Sequence, residues 1–264
     1  MNDSTALAKV ALADRKGLCL MLALSGRLSA DVRKARELVA SGAIGKLYGV
    51  EMHFLADQTR LARKDYAERV GWTLEKARAG GGHLVWLGIH YLDQMMFITD
   101  SSVSQVSGFT TKVGDYGKRH DVEDSTVAAV RFDNGTLGTV TSGYYCDQGY
   151  NSHIKVWGSK GWLRLEKDSP GADEAFPLTW YSHDAGDPDD PDQTIPEVQR
   201  FGVDLDDPLA GGYTPWVVAC VDACLGVAPP PISNADGLRA VEIRPRDFGT
   251  QKLLLGPATM RYAD

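Results

Sequence analysis

Ser125-Thr126-Val127-Ala128-Ala129-Val130-Arg131-Phe132, the turn Asp133-Asn134-Gly135, and Thr136-Leu137-Gly138-Thr139-Val140-Thr141-Ser142-Gly143-Tyr144-Tyr145 carry the clearest β signal in the chain. Two runs rich in β-branched residues flank an Asn-Gly turn, the pattern of a β-hairpin. Within each run apolar and polar residues largely alternate, so one set of side chains faces a core and the other faces away. Further strands come after it at Ser152–Trp157 and Trp162–Glu166, joined by the turn Gly158-Ser159-Lys160-Gly161, and others precede at Val103–Val113 and at residues 46–55. The expectation is a large, open, mostly antiparallel sheet with one face packed and one available.

Helical signals lie on either side of strand 46–55. Ser29 sits where a helix would start, running to about Ser41 and closed by Gly42, and Gly80-Gly81-Gly82 opens a second helix over about 83–98. The class is therefore α+β, with helices on one face of the sheet. Nearer the start, residues 5–16 have helical spacing and end at Gly17, and Leu18 to Leu24 is a continuous apolar run. Such a run reads as a strand buried on both faces of a covered, parallel sheet, of which only one helix–strand unit is present. Toward the end, residues 168–208 read as an irregular surface excursion carrying the acidic loop Asp184, Asp187, Asp189, Asp190 and Asp192. Helices at about 213–225 and 236–244 close the chain, separated by Pro229-Pro230-Pro231, with Pro245 stopping or kinking the second.

The 264 residues carry a net charge of −7, and 43% of them are hydrophobic, which suffices for a substantial core and excludes a disordered or disulfide-scaffold protein. An acidic chain without a basic tract does not suit nucleic acid, whose binding needs clustered Lys and Arg. No apolar run approaches the roughly 18–20 residues that cross a bilayer, and Met1-Asn2-Asp3-Ser4 lacks a signal-peptide start. A soluble, cytoplasmic protein is expected. Cys19, Cys146, Cys220 and Cys224 form no CxxC pair, and Cys220 and Cys224, four apart on an apolar helical stretch, read as buried free thiols. No metal site is expected, in the acidic loop or elsewhere.

The chemistry-bearing stretch is Gly80-Gly81-Gly82-His83-Leu84-Val85-Trp86-Leu87-Gly88-Ile89-His90-Tyr91-Leu92-Asp93. His83, Trp86, His90 and Asp93 recur three or four residues apart, and in a regular helix they would share a face that could line a pocket. An imidazole suits proton exchange near neutral pH because its ordinary pKa is about 6.5. Tyr144 and Tyr145 are further candidates for ligand contact or for strand packing.

The order of Gly42-Ala43-Ile44-Gly45, the Gly80–Asp93 stretch, Asp124-Ser125-Thr126 through Asn134-Gly135-Thr136-Leu137-Gly138, Gly158-Ser159-Lys160-Gly161 and Asp236-Gly237-Leu238-Arg239-Ala240-Val241-Glu242 resembles the Gfo/Idh/MocA oxidoreductases. That resemblance implies an N-terminal Rossmann domain joined to a C-terminal α/β domain with a large open sheet, and a sugar- or cyclitol-like substrate. It implies that His90 is the catalytic acid/base, with His83, Trp86 and Asp93 of the same helix on the substrate side, and that the open sheet face mediates homo-oligomerisation; Tyr144 and Tyr145 are read beside it as further substrate-side residues. The G-x-G-x-x-G turn that holds the dinucleotide pyrophosphate in that family is absent from this sequence. So is the family's Glu-Lys-Pro turn; the only Glu-Lys pairs are Glu75-Lys76-Ala77 and Glu166-Lys167-Asp168, and the aspartate often found four residues before the motif histidine is Trp86. Residues 1–26 therefore read as the last helix and strand of a Rossmann domain and 27–264 as the substrate and oligomerisation domain, with a nucleotide half of about 100 residues missing. No cofactor is expected to bind this chain alone, and NAD(P) would serve only where another chain supplies a nucleotide domain. Three functions are compatible with this pattern: an oxidoreductase-like protein that is inactive or partner-dependent for hydride transfer; a cofactor-independent lyase, isomerase or cyclase using His90; or a non-catalytic dimerising binding module.

Overall fold

The computed structural model describes residues 3–115, 120–183, 197–234 and 236–237. In chain order the elements are α1 (Asp3–Arg15), α2 (Ala30–Ala40), β1 (Leu47–Asp57), α3 (Lys64–Val70), α4 (Lys76–Ala79), α5 (Ile89–Thr99), β2 (Val103–Thr111), β3 (Ser125–Phe132), β4 (Leu137–Cys146), β5 (Asn151–Gly158), β6 (Gly161–Lys167), β7 (Leu178–Ser182), β8 (Gln199–Phe201) and α6 (Thr214–Cys224). Eight strands form one sheet in the order β2-β3-β4-β1-β5-β6-β7-β8. Every pairing is antiparallel except that of β1 with β4. The hairpin at Asp133-Asn134-Gly135 forms as its sequence predicts, with Gly135 at φ +85°. What local pattern does not reveal is that β1 inserts between the two meanders and joins β4 to β5.

The strand register lines up a row of apolar side chains across the sheet: Ala128, Val140, Met52, Ile154, Leu165 and Leu178 are successive cross-strand partners, and all are buried. Fully burying a large aliphatic side chain of this kind contributes about 1.5–3 kcal/mol. Val32, Ala35 and Leu38 of α2 and Leu92, Met95 and Met96 of α5 close the same core from one side. One residue along, the row Phe109, Val127, Thr141, His53 and His153 crosses the opposite face, where Phe109 and Val127 are exposed. One packed and one available face is the arrangement that the alternation predicts.

Three expectations are corrected. Residues 18–24 do not form a strand; Leu18 is 61% exposed, and only Leu24 at the end of the run is buried. A strand needs a neighbour for its backbone hydrogen bonds, and none of the described strands lies beside this run. Residues 168–208 are not wholly irregular, because Leu178-Thr179-Trp180-Tyr181 pairs with β6 as β7, and β8 pairs with β7. A strand this short is masked in sequence by the Pro- and Asp-rich residues around it. The cysteines are free, as expected, but not buried: Cys19 and Cys224 are exposed and Cys146 and Cys220 half-exposed. Along α6, Val217, Val218 and Val221 are exposed as well, so its apolar stretch is not packed inside. The acidic loop 184–192 and most of the closing helix 236–244, with Pro245, lie outside the described residues.

Candidate functional site

The approach of the α5 segment to the sheet is set by glycine. A Cβ on Gly82 would lie 1.7 Å from the carbonyl oxygen of Glu123, and one on Gly88 would lie 2.5 Å from Ser142 Oγ, so both positions accept only hydrogen. Between them, Leu84–Gly88 winds as a π-turn, wider than an α-turn, and regular α-helix resumes at Ile89. A wide turn changes the rotation between the segments on its two sides. The side chains that a uniform helix would align therefore diverge.

His83 points into the core, with none of its surface exposed. Its Nδ1 shares a hydrogen bond with Ser142 Oγ at 2.7 Å, Tyr144 meets it edge-on at 4.4 Å, and Phe54 lies at 5.1 Å. Burial, with a smaller push from Arg60, lowers its pKa to about 3, so the ring is neutral at pH 7. Trp86 turns the other way and packs edge-on against Trp72 at 5.4 Å. Asp93 is buried and takes two hydrogen bonds from Arg27, at 2.7 Å from Nε and 2.5 Å from Nη2, while Arg27 also reaches Asp236 at 3.2 Å. Tyr145 bonds to Ser125 Oγ. Of the six residues singled out in the sequence, only His90 lines the pocket beside α5.

That pocket, about 280 Å³, lies between the turn Ser25–Leu28, the start of α5, the end of β6 and Tyr213. His90 and Gln94 form one wall, and burial holds the His90 imidazole below its ordinary pKa. Beside it the Tyr91 hydroxyl donates to Ser152 Oγ at 2.8 Å, and Ser152 in turn donates to the Lys167 carbonyl. Burial raises the Tyr91 pKa well above the phenol range, and the negative charges of Asp168 and Asp31 add to that, against the lowering effect of its bond to Ser152. Opposite, Lys167 Nζ stands 2.6 Å from Asp31 Oδ2. Nothing in the sequence marks Asp31, and Lys167 and Asp168 stand out there only as part of a Glu-Lys pair lacking proline. Asp31 resembles any first-turn helix acid, and Lys167 any strand end. A second, more open hollow of about 580 Å³ is lined by Trp72, Arg78, His120 and Asp121, and holds none of the expected ligand-side residues.

Among the described residues no three His, Cys, Asp or Glu side chains gather as a metal site, and no helix is long and apolar enough to cross a membrane. The glycine-rich entry Gly80–Gly82 is filled by the backbone of Glu123 and leaves no room there for a pyrophosphate.

Residues 32–164 match the model of the GFO/IDH/MocA C-terminal domain, half of the chain. The chain belongs to this family. Within the family it is similar to myo-inositol 2-dehydrogenase of Thermotoga maritima, at 31% identity over 144 residues, covering 54% of this chain and 39% of that protein. The match thus spans less than half the length of that curated relative. The fold is also that of an oxidoreductase domain protein from Kribbella flavida, at 25% identity and TM-score 0.71 over 90% of this chain and 66% of the other. The WlbA dehydrogenase from Bordetella pertussis, solved in complex with NADH and UDP-GlcNAcA, shares it with TM-score 0.71 at 17% identity, over 94% of this chain and 67% of that one. The matched GFO/IDH/MocA region carries β1, the π-turn, α5 and most of β6, and so holds His90 within it.

Proposed function

We propose that the chain is the substrate-side half of a sugar or cyclitol oxidoreductase, binding a polyhydroxylated small molecule in the pocket beside His90. The observation that carries this reading is His90 itself: a half-buried, neutral imidazole in the wall of a pocket, on the helix that comes after the Gly80–Gly82 entry. A neutral imidazole accepts a proton from a ligand hydroxyl as that oxygen is oxidised, and returns it in the reverse direction. Hydride transfer needs a nucleotide-binding domain beyond the described residues. Residues 1–26 are read as the tail of such a domain, in which the exposed Leu18 and Leu20 would be covered by the rest of it. The outer sheet face, with Phe109, Val127 and Leu137 exposed, is the surface for self-association.

Ligand-observed saturation-transfer NMR with myo-inositol and with glucose tests the reading. Binding is expected for the wild type and is lost in Gly26→Leu, because a Cβ there would already lie 2.4 Å from Gln94 Nε2 and the larger side chain fills the pocket mouth. His90→Ala is expected to weaken binding by about tenfold, the worth of roughly one hydrogen bond to a buried group. Failure of the wild-type chain to bind either compound overturns the proposal.

A further inference from the structure

The charges around the pocket narrow the ligand further, given the reading of that pocket as a polyol site. Among the described lining residues there are two carboxylates, Asp31 and Asp168, and one cation, Lys167. Asp31 is wholly buried; the Lys167 ammonium stands 2.6 Å from Oδ2, and Oδ1 has no hydrogen-bond donor. A carboxylate in that position is costly to bury. Its place in the first turn of α2 and the charge of Lys167 offset part of that cost, yet Oδ1 remains an acceptor with nothing to accept. Asp168 is exposed at the rim and held in a left-handed turn at φ +54°. The fields of both carboxylates are felt at the Tyr91 hydroxyl in the same wall.

We infer that Asp31, Lys167 and Asp168 form a charge filter that admits neutral or amino-bearing polyols and rejects acid sugars. Asp31, its oxygens closed to solvent, acts on a ligand through its charge alone, and Lys167, already neutralised by Asp31, is not available as a carboxylate receptor. Rejection comes from the second carboxylate: an anionic ligand enters past Asp168 into a wall whose net charge is negative and is repelled by it, while a neutral or amino-bearing one is not. Specificity of this kind comes from repulsion of the wrong ligand as much as from contacts to the right one.

Glucose, glucosamine and glucuronate share a ring and differ in one group, and their dissociation constants measured on the full chain by calorimetry or competition NMR test the filter. The wild type is expected to bind glucosamine at least as tightly as glucose, and glucuronate at least about tenfold more weakly. In Asp31→Asn/Asp168→Asn the lining charge reverses, and glucuronate should overtake glucosamine. Asp168→Asn alone, at an exposed rim position, keeps the test open should the buried substitution unfold the protein; it should narrow the glucose–glucuronate gap by a factor of about three or more. Glucuronate bound as tightly as glucose by the wild type, or an unchanged gap in Asp168→Asn, overturns the filter while leaving the polyol site standing. Absence of binding by all three sugars overturns the polyol reading and the filter together.

Discussion

His83 and His90 sit seven positions apart in one motif and do different work because of what surrounds each ring. His83 is sealed among Phe54, Tyr144 and Ser142, and its pKa of about 3 has a consequence for stability. An unfolded histidine takes up its proton near pH 6.5, whereas folded His83 stays neutral until about pH 3. Its contribution is therefore fully present above about pH 6.5 and is lost as the pH falls toward 3, at ~1.4 kcal/mol per pH unit for one proton. Urea midpoints measured at pH 7, 6 and 5 should decline for the wild type, and His83→Gln should flatten that decline; equal slopes would refute the assignment. His90, whose pKa is lowered in the same direction by burial, adds a smaller term of the same sign. The residue type and spacing of His90 were legible in the sequence. The pairing of Lys167 with Asp31 was not, because it joins residues far apart in the chain whose local contexts are ordinary.

At the scale of elements, the π-turn over Leu84–Gly88 and the Arg27–Asp93 pair position the pocket wall. Gly82→Ala sets a methyl against the Glu123 carbonyl and should cost about 2–3 kcal/mol in thermal or urea unfolding. A melting temperature within a degree of wild type would mean that the close approach is not needed. Arg27 ties the Ser25–Leu28 turn to α5 and to Asp236. Asp93→Ala leaves a buried guanidinium with half its partners and should cost about 3–5 kcal/mol, whereas Arg27→Met combined with Asp93→Leu should recover much of the loss. A double-mutant cycle checks this, and additive single effects would show that the pair is not coupled. The helix itself was readable from Gly80–Gly82 onward. Its wide turn was not, because helical spacing assumes a constant rotation per residue, and the turn arises where two glycines let the backbone press against Glu123 and Ser142.

For the whole molecule, the sheet packs α2 and α5 on one face and shows Phe109, Val127 and Leu137 on the other. Sedimentation equilibrium should give a dimer or larger assembly. Val127→Glu/Leu137→Glu should shift it to the monomer while leaving far-UV circular dichroism unchanged, since both side chains already face outward. A monomeric wild type at tens of micromolar would remove the sheet face as an assembly surface.

Most of the sheet and the helices α1, α2 and α5 were determined by sequence alone, because alternation, helical spacing and turn glycines act over a few neighbouring residues. The family resemblance was legible for the same reason, being carried by short motifs in a fixed order. Only the tertiary structure decided the rest. It placed β1 between β4 and β5, left residues 18–24 without a strand to pair with among the described residues, turned His83 inward while His90 faced the pocket, and set Lys167 against a buried Asp31. Each of these depends on hydrogen bonds or charges between distant parts of the chain, whose partners no local pattern specifies.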